Sequence, residues 1–308
     1  MIKKLDQIKI IIVTFESQLI INKTLNNLKR FKVYLVENSN NKKFKLDIES
    51  KFKNVTCLLS GSNIGYGSAI NLALKKIKAK YYLILNPDCT VSEKTILELR
   101  SNLETHEKMH VIAPLTVDKK NRIYKRYGYF FSSEIKKNFI ENKKFKQVDF
   151  VIGCIFLIKS KVFNKIGLFD ENFFLNYEEI DFFKRLRNFK YNVFINKKCI
   201  AKHLGGMSSF SKKNKTSDIA EYTRISKWHL AWGKYYYYNK HYNFFVTFFF
   251  FLRFLLKSFS QYLYFSLTNQ KTKQIISKQF IYGMLCSIRG RKSFERPFIN
   301  HPNNSKYK

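Results

Sequence analysis

Residues 55–89, VTCLLSGSNIGYGSAINLALKKIKAKYYLILNPDC, decide the fold. An apolar run from Val55 is followed by a glycine-rich turn (Gly61–Ser68), a helix-compatible stretch (Gly67–Lys80) and a second apolar run from Tyr81 that ends on Asn86-Pro87-Asp88. Upstream, similar runs begin at Ile10 (IIIVTF) and Val33 (VYLVEN), with helix-compatible sequence from Ser17 to Arg30 between them. The four runs start 22 to 26 residues apart. Strand and helix alternating at that interval predict a parallel, doubly wound α/β sheet. Ligands of such sheets bind beyond the carboxyl ends of the strands. The run-ending residues are therefore the ones to read for chemistry: Thr14, Phe15 and Glu16, then Glu37, Asn38 and Ser39, then Asn86, Pro87 and Asp88.

The chain has 308 residues, with 57 Lys and Arg against 22 Asp and Glu and a formal charge of +35. This length suits one large α/β domain or two modest ones. With 45% hydrophobic and 17% aromatic residues, it carries too much apolar surface for a disordered basic tail. Cys57, Cys89, Cys154, Cys199 and Cys286 include no CxxC pair, which argues against a disulfide framework or a zinc site and for a reducing compartment. The apolar run in MIKKLDQIKIIIVTF is too short for a signal-peptide core, so a cytoplasmic location is expected. The positive charge calls for an anionic partner: acidic lipid, a phosphorylated small molecule or nucleic acid. Against nucleic acid, the basic residues are spread over every segment and no nucleic-acid-binding motif is present.

Residues 111–146 are polar and rich in Lys and Asn, and read as a connection with weak strands. Beyond it lie FVIGCIFLI (150–158) and GLFDENFFLNYEEIDFFKRLRNFKYNVFI (167–195). A helix of about 12 residues is expected at the acidic cluster, because Glu178, Asp181 and Arg185 share one face at helical spacing. Residues 206–308 hold 18 Lys and Arg against three acids, and mark a separate helical region. Within it, residues 244–267 are long enough to span a bilayer, but Arg253, Lys257 and Gln261 interrupt them at four-residue intervals. One-sided polarity favours a helix lying in the membrane interface, with Trp228, Trp232 and Tyr235–Tyr238 in the headgroup layer. The alternatives are packing on the catalytic domain, packing on a second copy, or a true span.

Several residues carry chemistry at the predicted strand ends. Asp88 is placed to hold a divalent metal by oxygen ligation, although Asn-Pro-Asp also makes a plain strand-ending turn. The glycine-rich turn offers amide donors at a helix start, which attract phosphate, but it lacks a Walker lysine. Glu178, Glu179 and Asp181 repel one another unless a helix terminus, a metal or a substrate cation compensates. One of them is positioned to take a proton from an acceptor hydroxyl. His203, in AKHLGG, is a candidate ligand for a metal or phosphate, or else a structural histidine.

The order IIIVTFES, VENSN, GSNIGYGSAINLAL, LILNPDC, VIGCIFLIKSKVF, IGLFDENFFLNYEEIDFFKRL, AKHLGG resembles family 2 glycosyltransferases, particularly their bacterial rhamnosyltransferase-like branch, over residues 8–206. The resemblance implies an α/β fold of the GT-A type, the Rossmann-like mixed sheet of nucleotide-diphospho-sugar transferases, followed by a C-terminal helical extension. A nucleotide-sugar half would cover about 1–110, an acceptor half about 111–206, and a basic helical region 207–308. It further implies that Thr14, Phe15 and Glu16 line the nucleoside pocket, that Glu37 meets the base or ribose, and that Asn63 and Gly65 pass close to the nucleotide. Asn86 and Asp88 would stand for the family's DxD motif. Asp88, with His203 as a candidate second ligand, would bind Mn²⁺ or Mg²⁺. Gly153 and Cys154 would floor the acceptor site, and Glu179 would act as base within the Glu178-Glu179 pair, with Asp181 as its rival. The implied reaction is inverting transfer, best matched by dTDP-rhamnose, with UDP-activated galactose, N-acetylglucosamine or galactofuranose as alternatives. The acceptor would be a polyprenyl-diphosphate-linked or other glycan in surface polysaccharide synthesis, such as O-antigen or capsule. The enzyme would sit on the inner face of the cell membrane, with the C-terminal helices as the candidate surface for a homo-oligomer. A nucleotidyltransferase of similar topology is the rival enzyme class, distinguished by release of pyrophosphate.

Overall fold

The structure, a computed structural model of the chain, describes residues 5–15, 17–130, 142–203 and 217–293, without the side chains of 18, 19 and 217–222. It divides into two compact units: Met1–Asp170 with Glu179–Ser211, and Glu171–Glu178 with Lys212–Lys308.

The first unit is built on four parallel strands, β1 (Ile8–Thr14), β2 (Lys32–Glu37), β3 (Val55–Leu59) and β4 (Tyr81–Leu85). Helices α1 (Gln18–Asn26), α2 (Lys42–Lys51) and α3 (Tyr66–Leu74) connect them. In β1, Ile8, Ile10 and Ile12 on one face and Ile11 and Val13 on the other are all buried, and beyond the partly buried Lys9 the strand reads as an apolar run from Ile10 to Val13. Next come β5 (Cys89–Val91), α4 (Glu93–Thr105), β6 (Met109–Val117), β7 (Tyr127–Gly128), β8 (Phe145–Val148), β9 (Phe150–Val151) and β10 (Ile155–Lys159). The unit closes with α5 (Lys161–Ile166), α6 (Glu178–Asn188) and β11 (Asn192–His203). The main sheet has the order β3-β2-β1-β4-β10-β6-β11-β5, with β8 added on β11, while β7 and β9 pair separately. Asn41 and Ser92 cap α2 and α4 by accepting from the backbone N–H groups of Phe44 and Thr95.

Three pairings converge on one edge of this sheet. β10 runs antiparallel to β4 with Ile155 opposite Leu85, so the turn that enters β10 lies where β1–β4 end. β11 is parallel to β6 and finishes at the same edge, with Lys202 opposite Val117. β5 turns back antiparallel to β11 and sets Cys89 opposite His203. The sheet is thus mixed, as the GT-A resemblance implies, and not wholly parallel as the strand spacing alone suggests.

Residues 111–146, expected to be a loose connection, instead contain most of β6, a nine-residue strand that is largely buried in the middle of the sheet. Its apolar run is interrupted by Pro114, which has no N–H for a ladder. Pro114 is tolerated because its partner Asn196 is the last paired residue before an irregularity in β11, where pairing resumes at Ile200 opposite Leu115.

The second unit contains α7 (Ser217–His241), α8 (Phe244–Leu267) and α9 (Lys271–Ile288). α9 packs closely on α7 at Gly283, where any Cβ would run into the carbonyl oxygen of Trp228. Segment 171–178, expected within the acceptor half, belongs to this unit because its aromatic residues are buried there: Phe173 meets Tyr236 at 5.0 Å and Phe174 meets His229 at 4.7 Å. Trp228, Trp232 and Tyr237 were expected in a headgroup layer, but they are buried inside this helical unit. The Trp232 indole N–H donates to the Arg291 carbonyl at 2.8 Å. α8 is the opposite case: only Thr247, Phe251 and Ser258 are buried, and the helix is long and apolar enough to cross a membrane.

Candidate active site

At the nucleotide end, Thr14 closes β1 beside Glu37, which closes β2. Glu37 is fully buried and accepts from the hydroxyls of Thr14 (2.7 Å) and Ser39 (2.8 Å). Its carboxylate thus ties together the hydroxyls at the ends of β1 and β2. Phe15 is half-buried, and Glu16 lies outside the described residues. Asn38, singled out in the sequence only as a run-ending residue, organises the glycine-rich turn. Its amide donates to Asn63 Oδ1 (2.9 Å) and the Gly65 carbonyl (3.2 Å), and its oxygen accepts from Ile64 N–H (3.0 Å). Gly65, with φ +90°, then starts α3 in a conformation that favours glycine.

The Asn86-Pro87-Asp88 turn is held at both ends. Asn86 N–H donates to the Cys154 carbonyl (3.0 Å), the Asn86 side-chain oxygen accepts from the Tyr66 hydroxyl (3.2 Å), and the Thr24 hydroxyl donates to the Pro87 carbonyl (2.7 Å). Asp88 is 1% exposed, and among the described residues neither of its carboxylate oxygens has a hydrogen-bond partner. His203 Nε2 lies 3.3 Å from Asp88 Oδ1, and His203 Nδ1 is also buried with no partner among the described residues. A buried carboxylate short of hydrogen bonds costs free energy unless a ligand completes it. Oxygen and imidazole donors side by side suit Mn²⁺ or Mg²⁺, so the residues fit the implied ion. Among the described residues no group of three acid, His or Cys ligands forms, so the remaining ligands would have to come from a bound diphosphate or water.

Glu179 occupies the other side of this edge. Its Oε2 accepts from Gly153 N–H at 3.0 Å, and a Cβ at position 153 would collide with the Glu179 carboxylate. A larger residue at 153 would therefore have to push the Glu179 carboxylate out of its present position. Cys154, next to it, is buried, and burial pushes its thiol up to about 11, so it is a packing residue and not a nucleophile. Glu178 is buried, and desolvation raises its carboxyl to about 7. Asp181 has a different role from its neighbours. It is fully buried and paired with Arg185 Nε at 2.9 Å, while the same guanidinium donates to the carbonyls of Ile166 (2.6 Å) and Leu168 (2.7 Å). Through Arg185, the Asp181 carboxylate is thus linked to the chain at Ile166 and Leu168. Just before α6, Asn176 and Tyr177 both have positive φ (68° and 70°), a conformation that costs each of them on the order of 1 kcal/mol.

The turn that carries Asp88 and the Glu179 carboxylate are therefore tied to adjacent residues: Asn86 N–H donates to the Cys154 carbonyl, and Glu179 accepts from the N–H of the preceding glycine. Sequence reasoning missed two residues here, Tyr124 and Arg126. The Tyr124 ring stacks on His203 with centroids 6.1 Å apart, and the Arg126 guanidinium lies 4.3 Å from the Tyr124 centroid. Both stand in a short Lys-rich stretch whose pattern carries no periodic signal.

The order of strands, the single buried acid beyond β4 and the acid-rich helix start define a GT-A glycosyltransferase fold. Among solved structures, the mannosyltransferase PcManGT from Pyrobaculum calidifontis, crystallised with GDP-Man and Mn²⁺, has a TM-score of 0.53 at 10% identity over 93% of this chain and 88% of its own. GalNAc-T7, crystallised with UDP, GalNAc and Mn²⁺, scores 0.55 at 15% identity over 76% of this chain and 50% of its own. S. aureus TarS 1-349, in complex with UDP-GlcNAc, scores 0.51 at 14% identity over 92% of both chains. The glycosyl transferase family 2 profile matches residues 9–167, and the chain belongs to that family. A hexosyltransferase of low-salt glycan biosynthesis from Haloferax volcanii, Agl10, is 26% identical over 199 residues, which are 61% of this chain and 64% of that protein.

Proposed function

We propose that this chain is an inverting hexosyltransferase that moves a sugar from a nucleoside-diphosphate donor to a hydroxyl of a glycan or lipid-linked acceptor. The observations that support the reading are the Glu179 carboxylate held by Gly153 N–H, the Asp88–His203 pair, and the backbone bond from Asn86 to Cys154 that joins their segments. Glu179 takes the acceptor proton, and Gly153 holds its carboxylate in place. Asp88 and His203 hold the divalent ion, which, when bound, supplies a Lewis acid for the diphosphate. The Asn38-braced turn and Asn86 shape the donor side, and Thr14 and Ser39, oriented by Glu37, face the nucleoside. Asp181 is assigned to anchoring α6.

The donor is tested with a panel of dTDP-rhamnose, UDP-GlcNAc, UDP-galactose and GDP-mannose, with and without Mn²⁺ or Mg²⁺, following release of the nucleoside diphosphate. dTDP-rhamnose is the donor favoured by the resemblance. Release of pyrophosphate would move the chain to the nucleotidyltransferases.

The acceptor side of the reading includes the membrane. α8 exposes Phe245, Phe248, Phe249, Leu252, Leu256 and Leu263 along one side, with exposed Arg253 and Lys257 beside them. From Tyr222 to Phe294 there is no Asp or Glu. An apolar stripe flanked by basic groups, without acids, is complementary to the surface of an anionic bilayer. Co-sedimentation with vesicles containing phosphatidylglycerol, but not with pure phosphatidylcholine, is the expected result. A stable dimer in solution with no vesicle binding would instead assign the stripe to a second copy of the chain.

A further inference from the structure

The sheet unit contains six arginines, and five of them have acid partners. Arg30 pairs with Glu93, Arg100 with Glu104, Arg122 with Asp118, Arg185 with Asp181 and Arg187 with Asp149. Arg126 is the exception: among the described residues no carboxylate pairs with it, and its Nε is sealed from solvent without a hydrogen-bond partner. A half-buried guanidinium left in this state is costly unless a ligand anion completes it.

Its backbone is fixed from both sides. Tyr124 N–H donates to the Thr116 carbonyl (2.8 Å), the Thr116 hydroxyl donates back to the Tyr124 carbonyl (2.9 Å), and Ile152 N–H donates to the Arg126 carbonyl (2.8 Å). These bonds carry the segment from the end of β6 to the residue next to Gly153. The side chain is fixed as well, since the guanidinium lies 4.3 Å from the Tyr124 centroid and the far side of the row is His203. Burial raises the thiols of Cys89 and Cys154, the residues that follow Asp88 and Gly153, and the charge of Arg126 offsets part of that rise. The cation is therefore close to both of these segments.

We propose that Arg126 is a substrate-binding residue that grips the diphosphate of the donor and neutralises the charge gathering there as the sugar departs. This rests on the glycosyl-transfer reading above. In the step, the acceptor oxygen forms a bond to the anomeric carbon and its proton passes to Glu179. The bond from that carbon to the β-phosphate oxygen breaks, and its electron pair leaves with the nucleoside diphosphate. Arg126 meets that growing charge with a rigid pair of donors suited to phosphate oxygens. Placement against Tyr124 means that little side-chain freedom is lost on binding.

The test measures binding of UDP, GDP, dTDP and inorganic pyrophosphate by calorimetry in Mg²⁺, in the full chain and in Arg126→Ala, Arg126→Gln and Arg126→Lys. Arg126→Ala and Arg126→Gln are expected to weaken pyrophosphate and the preferred nucleoside diphosphate at least about tenfold, in line with loss of a charge-assisted hydrogen bond. Binding of the matching nucleoside should be unchanged, and Arg126→Lys should recover part of the loss. In turnover, product inhibition by the nucleoside diphosphate should weaken while the acceptor KM stays at the parent value. Should Arg126→Ala not fold, Arg126→Gln and Arg126→Lys carry the comparison. Variants that bind pyrophosphate like the parent, or whose defect lies in the acceptor KM, overturn the proposal and leave the transferase reading standing. A parent chain that binds none of the four probes overturns both.

Discussion

The two units handle polarity in opposite ways. In the sheet unit, acids are hidden: Asp88, Glu179 and Asp181 are each less than a tenth exposed at one edge, and each is placed by backbone bonds or an ion pair. In the helical unit it is the apolar groups that are out: Phe244, Phe245, Phe249 and Leu256 are each more than 60% exposed. Burying an acid costs free energy that a folded chain retains where chemistry needs the group. Exposing a row of phenylalanines costs too, and is retained where another phase or partner covers them. The first unit is thus read from its buried charges and the second from its exposed carbon.

The most severe way to break the sheet side of this contrast is Glu179→Gln. The amide keeps the size and still accepts from Gly153 N–H, but it cannot take a proton, so kcat should fall by about a thousandfold while donor binding persists. Transfer at the parent rate would remove Glu179 as base. Asp88→Ala should abolish the response to Mn²⁺ or Mg²⁺ and weaken donor binding by about a hundredfold, read from a metal titration of the thermal shift. A metal response in the variant equal to that of the parent would dismiss Asp88 as a ligand.

Asp181→Ala separates structure from chemistry within the same acidic cluster. It takes the carboxylate from the partly buried Arg185 guanidinium, which keeps its two carbonyl partners, so it should cost about 2 kcal/mol of stability, measured by urea unfolding. Per folded molecule, activity should remain near that of the parent. If instead kcat fell as far as for Glu179→Gln at unchanged stability, Asp181 would be the base.

How far these assignments were legible in the sequence depends on distance along the chain. β1 to β4 were legible because strands covered on both faces need near-continuous apolar runs, as Ile10–Val13 show. β6 was not, because Pro114 argues against a central strand unless the bulge opposite it is known. The acids were legible as candidates, but their separate fates were not. Glu179 and Asp181 lie two residues apart, and only the fold reveals that one faces Gly153 and the other Arg185. His203 meets Asp88 through the antiparallel pairing of β5 with β11, a contact that local spacing does not encode. Trp228 and Trp232 were misplaced for a related reason: composition alone does not distinguish an aromatic in a helical core from one at a membrane interface.

Glu178 gives a pH test at the start of α6. Its folded carboxyl is pushed up to about 7 from an ordinary value of 4.5, so between those values the folded state holds more protons than the unfolded state. Stability should therefore fall as pH rises from about 5 to 7, by about 1 kcal/mol per pH unit crossed. Glu178→Gln should remove that slope in thermal melts at pH 5, 6 and 7. A parent curve that is flat or rises over this range would show that the carboxyl is ionised in the folded chain.

The smallest expected effect probes the helical unit. Arg253 and Lys257 stand four residues apart, one turn of α8, so both reach the same side of the apolar stripe. Each basic group near an anionic surface contributes about 1 kcal/mol, which makes Arg253→Gln with Lys257→Gln worth about thirtyfold in partitioning to phosphatidylglycerol vesicles. Raised salt should reproduce much of that loss in the parent, because the charges are exposed and screened. Phe249→Ser with Leu256→Ser should instead weaken vesicle binding at every salt concentration, because it removes apolar area and leaves the charges in place. If the charge pair changed nothing and the apolar pair shifted only the sedimentation mass, the stripe would belong to an interface between copies, and the contrast between the two units would be one of assembly and not of membrane contact.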